Sequence, residues 1–213
     1  TSAGLFGRYL GVQGAQIVTT SCLALCTVLS WYAFLEVGVG GNTVYIDLFT
    51  WIDSEMLHAS WGFLFDSLTV IMLITVTTVS CMVHLYSVGY MGEDPHVQRF
   101  MSYLSLFTFF MLMLVTADNF AQMFLGWEGV GLCSYLLINF WFTRVQANKA
   151  AIKAMIINRI GDFCLIIGIL VMFVNFKSVD YATVASLAPL FKTQTVNFLN
   201  MDFNILALIC VFL

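Results

Sequence analysis

The stretch NFAQMFLGWEGVGLCSYLLINFWF, Asn119 to Phe142, decides how this chain is read. Every residue in it is uncharged except Glu128. A helix rises about 1.5 Å per residue, so Glu128 falls roughly 13 Å from the Asn119 end, near the middle of a hydrocarbon core about 30 Å thick. An ionised carboxylate there costs at least about 2.5–3.5 kcal/mol on insertion scales. The chain can keep it only paired, wetted or protonated, which makes proton handling the first function to consider. Desolvation favours the neutral carboxyl and a nearby cation the charged one, and the residue types alone leave both open.

Composition agrees with a membrane reading. Hydrophobic residues make up 61% of the 213 and charged residues 9%, against about 25% charge in a soluble domain. With eight Lys and Arg in all, the chain has no electrostatic footprint for nucleic acid. The six cysteines lie in apolar runs without a CxxC, which argues against a disulfide framework or a structural zinc site. No Gly-rich dinucleotide loop follows a strand, no phosphate loop occurs, and no paired His points to haem. Any electrons of an associated redox enzyme therefore travel on other chains.

Working outward, the pattern predicts an all-α polytopic membrane protein with five full spans. They run over Val12–Leu35, Ser67–Gly92, Phe100–Ala117, the Glu128 stretch and Ala150–Phe176. The expected organisation is a span tail over residues 1–11, two spans over 12–92, three over 93–176, an outer loop over 177–202 and a truncated span from 203 to 213. Between the first two full spans, residues 36–60 form an outer loop in which Val44, Ile46 and Leu48 alternate with Tyr45, Asp47 and Phe49. That period of two predicts a short hairpin, with Trp51 and Trp61 in an interfacial belt. Alternating sides gathers Arg8, Arg99, Arg144, Lys149 and Lys153 on one face, which the basic bias assigns to the cytoplasm or a mitochondrial matrix.

Three glycines surround Glu128 (Gly126, Gly129, Gly131), costly in a helix interior unless a neighbouring helix or water approaches the carboxylate closely. Arg159 and Asp162 stand at i,i+3 on the fifth span and can pair locally; Asn158 extends them into a polar stripe that suits a hydrated path. Lys149 and Lys153 lie one turn apart near the basic face, where snorkelling to headgroups is the plain account. Asp66 and Asp118 each precede a span and read as helix caps. His84, near the inner end of the second span, is a further group able to relay protons, with interfacial hydrogen bonding as its plainer role.

Beyond these residue-level readings, MFLGWEGVGLCSYLLI (Met123–Ile138) resembles the largest antiporter-like subunit family of respiratory NADH:ubiquinone oxidoreductase, complex I chain 5. The likeness continues through FWFTRVQANKAAIKAMIINRIGDF (Phe140–Phe163), SWGFLFDSLTVIML (Ser60–Leu73) and YMGEDPHVQRFMSYLSLFTFFMLMLVTADNF (Tyr90–Phe120), so it covers nearly the whole chain. It implies an antiporter-like helix bundle holding part of the first of two inverted repeats, in a proton-translocating membrane-arm subunit. Glu128 matches the Glu of the first repeat, and Arg159 with Asp162 matches the polar pair of the family's NRxGD motif. Lys153, and less strongly Asp66 and His84, join them as proton-path residues. The family pairs its Glu with a Lys that would lie just beyond Leu213, so the basic partner of Glu128 is expected outside this chain. The resemblance also implies FMN, iron–sulfur clusters and ubiquinone on other subunits, with no cofactor here. Expected partners are further membrane-arm subunits, a C-terminal remainder of chain 5 and lipids such as cardiolipin. The expected location is the mitochondrial inner membrane, with the Arg99 and Arg144/Lys149 loops facing the matrix. A cation/proton antiporter subunit and a non-pumping structural module of a split subunit remain as alternatives.

Overall fold

The computed structural model describes residues 7–54, 57–192, 194–198 and 201–213. Helix α1 (Gly7–Ala33) bends at Gly11, whose φ of 69° interrupts the helix and marks where the first span proper begins. A π-helical turn, Phe34–Val39, prolongs it. Four more long helices follow: α2 (Ser67–Tyr90), α3 (Val97–Val115), α4 (Phe120–Ile138) and α5 (Val145–Phe176). Each of the five is long and apolar enough to cross a membrane. The five spans expected from the sequence are thus present, with ends shifted by a few residues. The largest shift is in α5, which starts at Val145, so Lys149 lies within the helix.

The expected hairpin is present but lies further along the chain than residues 36–60. Strand β1 (Val44–Ser54) pairs antiparallel with β2 (Leu57–Phe65), carrying the sheet almost to the start of α2. The register slips at Leu48 and again at Trp51, so the period of two read over β1 is broken twice. Trp61 stacks on Phe49 with centroids 6.0 Å apart and meets Trp51 edge-on at 5.3 Å.

Residues 177–202, read as a plain loop, hold a short helix α6 (Tyr181–Leu187), a 3₁₀ turn (Ala188–Phe191) and strand β3 (Thr195–Phe198). Strand β4 (Met201–Asn204) pairs with β3. Helix α7 (Ile205–Phe212) begins where Asn204 accepts hydrogen bonds from the amides of Leu206 and Ala207, and it packs on α5 around Met172, Phe176, Ile205 and Ile209.

Helix α1 packs on α2 and α3, α3 on α4, and α4 on α5. At one end of this row the edge of β2 is sealed by the α3–α4 junction. Leu64 N donates to Thr116 O at 3.0 Å, Asn119 Nδ2 to Ser60 O at 2.7 Å, and Gly62 exchanges two bonds with the Gln122 amide. The same junction binds the start of α6, with Phe120 N donating to Val179 O at 3.0 Å. At the other end Arg99 donates to Phe140 O at 3.0 Å and lies over the Phe140 ring, while Trp141 Nε1 donates to Asp94. Hairpin and basic turns therefore sit at opposite ends of the bundle, as the alternation of spans requires.

Candidate functional site

Glu128 and its partners lie where α4 meets α5. Asn119 caps α4, accepting from Gln122 N at 2.8 Å, and thereby fixes which residues of the following turns face which neighbour. Asp118, expected as the cap, instead accepts from Tyr45 Oη at 3.0 Å and Ser60 Oγ at 3.2 Å, tying the hairpin to the helix start. The extended backbone at Asn119 turns its short side chain onto the first helical amides and leaves Asp118 facing β2.

From that cap, Gln122, Gly126, Gly129 and Cys133 form the buried stripe of α4, at helical spacing. A Cβ on Gly126 would stand 2.7 Å from Leu114 Cα, and one on Gly129 would collide with the Phe110 ring. Both glycines therefore serve the close approach of α3. The expectation that they admit a neighbour to the carboxylate is corrected here, because Glu128 faces α5 instead. Of the three glycines, Gly131 alone looks that way, with Asn158 Nδ2 3.9 Å from a built Cβ.

On α5, Arg159 reaches across. Its Nη1 lies 2.6 Å from Glu128 Oε1, a charge-assisted hydrogen bond. Its Nε stands 3.9 Å from Asp162 Oδ2, the looser contact of the two. Asp162 is buried and accepts from Trp127 Nε1 at 2.8 Å, so the residue before Glu128 holds the second carboxylate. One guanidinium thus bridges two carboxylates from two helices. This corrects the expectation that the basic partner of Glu128 lies outside the chain, since Arg159 already fills that role. The spacing of Arg159 and Asp162 had indicated only their local pair, since nothing along a single helix reports contact with another. Trp127 was missed altogether; an indole N–H beside a buried carboxylate was the available signal.

Arg159 keeps 55% of its side chain exposed and Glu128 25%, against 8% for Asp162. Asp162 is thus the buried member of the three, and Arg159 the most exposed.

Residues 51–101 match the family described as NADH-Ubiquinone oxidoreductase (complex I), chain 5 N-terminus, and residues 117–213 match NADH:quinone oxidoreductase/Mrp antiporter, TM. NADH-ubiquinone oxidoreductase chain 5 of Arabidopsis thaliana is 59% identical over 99% of this chain. The chain belongs to the complex I chain 5 family. The Triticum aestivum member is likewise 59% identical and the Marchantia polymorpha member 58%. This chain spans about a third of their length: 31% of the first two and 32% of the third. Among solved structures, the Mrp complex from Dietzia sp. DQ12-45-1b superposes with a TM-score of 0.77 at 20% identity, over 99% of this chain and 21% of that one. An archaeal membrane-bound sulfane sulfur reductase gives 0.73 at 16%, over 88% of this chain and 37% of that one. At those identities the likeness is one of fold, an antiporter-like bundle in a multi-pass membrane protein.

The remaining expected residues of this chain 5 family member scatter. Asp66 caps α2, accepting from Thr69 N at 2.7 Å, remote from Glu128 in its contacts. Lys153 is exposed on α5 in an apolar hollow shared with Lys149, Ile152, Ile156 and Ile157. Asn158, expected in the polar stripe, is exposed on the same helix. His84 is fully buried between α2 and α3, where Ser105 of α3 supplies a hydrogen-bond partner.

Proposed function

We propose that this chain forms the Glu128 half of a proton-translocating unit in the membrane arm of respiratory complex I, where NADH oxidation and ubiquinone reduction drive proton pumping. The observation that carries the reading is Arg159 Nη1 at 2.6 Å from Glu128 Oε1, with Arg159 also beside the buried Asp162. With the guanidinium seated on it, the Glu128 carboxylate is held ionised. When the guanidinium swings toward Asp162, Glu128 loses its counter-ion inside the membrane and takes a proton; the return stroke expels it. Trp127 supports this by keeping Asp162 fixed as the alternative seat. The driving change is a population shift imposed from a distant redox site on other subunits.

FMN, iron–sulfur clusters and ubiquinone belong, in this reading, to those other subunits. The remainder of a chain 5 polypeptide, joined or separate, supplies a further Lys and the rest of the path. The location is the mitochondrial inner membrane, with the Arg99 and Arg144/Lys149 turns on the matrix side and anionic lipid such as cardiolipin near Lys149 and Lys153. Lys153 serves as the matrix-side entry of the path. The alternative of a cation/proton antiporter subunit shares the fold, but relatives at 59% identity favour complex I.

Glu128→Gln tests the proposal. It retains a hydrogen-bonding amide for Arg159 but cannot carry a proton. Protons moved per NADH oxidised by the assembled complex are expected to fall. Unchanged pumping with normal assembly would rule the switching role out, and failed assembly would favour a structural one.

A further inference from the structure

We propose that His84, Ser105 and the Ser80–Thr108 hydroxyl pair form a second proton-binding relay inside the bundle, separate from the Glu128 cluster. The inference rests on the proton-translocation reading above. His84 is 0% exposed, an imidazole shut within a membrane-spanning helix pair. Its Nδ1 lies 2.8 Å from Ser80 O, and a carbonyl only accepts, so Nδ1 carries a hydrogen. Its Nε2 lies 3.2 Å from Ser105 Oγ, which is itself 2.9 Å from Met101 O.

Ser105 has one hydroxyl hydrogen and two acceptors that can take it. When Nε2 is protonated it donates to Ser105 Oγ, and the Ser105 hydroxyl donates to Met101 O, leaving every group partnered. When Nε2 is bare, the hydroxyl turns to it, and Met101 O keeps its place in the α3 backbone ladder. Rotation of one hydroxyl therefore serves both protonation states without moving a helix. A purely structural histidine needs only one of these arrangements.

Two hollows border the cluster. Ser105 and Thr108 line a cavity of about 270 Å³ with Thr19 and Cys22 of α1. Ser80 and Thr108 line another of about 350 Å³ between α2 and α3, and Ser80 Oγ is 2.6 Å from Thr108 Oγ1. The first offers hydroxyl partners and ample volume for water. A proton arriving from it at Ser105 Oγ is matched by transfer of the Ser105 hydroxyl hydrogen to Nε2, and the reverse transfer discharges the imidazolium.

No fixed charge pins either state. Facing groups on α3 are the Ser105 and Thr108 hydroxyls, and on α1 the Cys22 and Cys26 thiols beside the cavity. Arg99, in the first turn of α3, is the only Asp, Glu, Lys or Arg between Val97 and Val115, and Val12–Ala33 and Ser67–Tyr90 have none. Ion pairs join His58 to Asp53, and Arg159 to Glu128 and Asp162, and none of these five residues is on α1, α2 or α3.

The test uses the assembled respiratory complex in membrane vesicles. His84→Asn keeps a buried polar side chain that cannot hold a proton, and Ser105→Ala removes only the rotor. Both are expected to retain NADH oxidation and to lose protons moved per NADH, whereas Ser105→Thr restores the yield. Unchanged yield in His84→Asn and Ser105→Ala overturns the relay. Glu128→Gln in the same vesicles separates the two failures. If its yield falls while the His84 and Ser105 variants match the parent, the relay alone is wrong; if all three match, the translocation reading is wrong as well. Should His84→Asn block assembly, Ser105→Ala and Ser105→Thr decide: equal yields overturn the relay, and loss in Ala alone supports it.

Discussion

Arg159 is shared unequally between its two carboxylates, at 2.6 Å from Glu128 and 3.9 Å from Asp162. The unequal seats make Asp162 the more telling residue to alter. Asp162→Asn keeps an oxygen for the Trp127 N–H but removes the charge that would receive the guanidinium. It is expected to assemble normally and to pump fewer protons per NADH. Asp162→Ala additionally removes the acceptor of the Trp127 N–H, and because that indole is half exposed the loss is one hydrogen bond, about 0.5–1.5 kcal/mol, with a slightly lower thermal midpoint of the complex. Equal pumping by Asp162→Asn and the parent would remove Asp162 from the switch. At this scale the anomalous residues were visible in the sequence, because a charge in an apolar run stands out by its cost. Their pairing was not: i,i+3 spacing reports one helix, and the Arg159–Glu128 contact spans two.

At the scale of elements, the hairpin acts as a clamp on the start of α4. Gln122 Oε1 accepts from Gly62 N at 3.2 Å and Gln122 Nε2 donates to Gly62 O at 2.9 Å, so one side chain pairs with the strand as a neighbouring strand would. Gly62 is required there because a Cβ would strike Asp118 Oδ2. Gln122→Leu leaves both backbone groups of Gly62 buried without partners, about 1–3 kcal/mol for each. A lower unfolding midpoint is expected; an identical midpoint would contradict the clamp. The existence of a hairpin was readable from its alternating residues. Its length and its two register slips were not, because they depend on which edge of β2 the α3–α4 junction seals.

Over the whole molecule, the hairpin, the α3–α4 junction and α6 converge on Asp118. Tyr181 donates its backbone amide to Asp118 O, and its ring meets Phe120 edge-on at 4.6 Å. Burial, then the Asp118 charge, pushes the Tyr181 hydroxyl well above the usual tyrosine range. The folded state thus holds this proton more tightly than the unfolded chain, which loses it near pH 10. The stabilisation is complete below about pH 10 and is lost as pH rises toward the folded value. Tyr181→Phe should flatten the fall of the unfolding midpoint above that pH; an unchanged alkaline slope would show that Tyr181 is not its source. The sequence by itself determined the membrane class, the five spans, the anomalous Glu128 and the chain 5 resemblance, since hydropathy and local motifs are properties of contiguous residues. Only the tertiary structure decided that Arg159 serves Glu128, that Gly126 and Gly129 serve α3, that Asn119 rather than Asp118 caps α4, and that His84 is sealed between two helices. Each of those depends on which faces of separate helices meet, and packing settles that across distances no local pattern records.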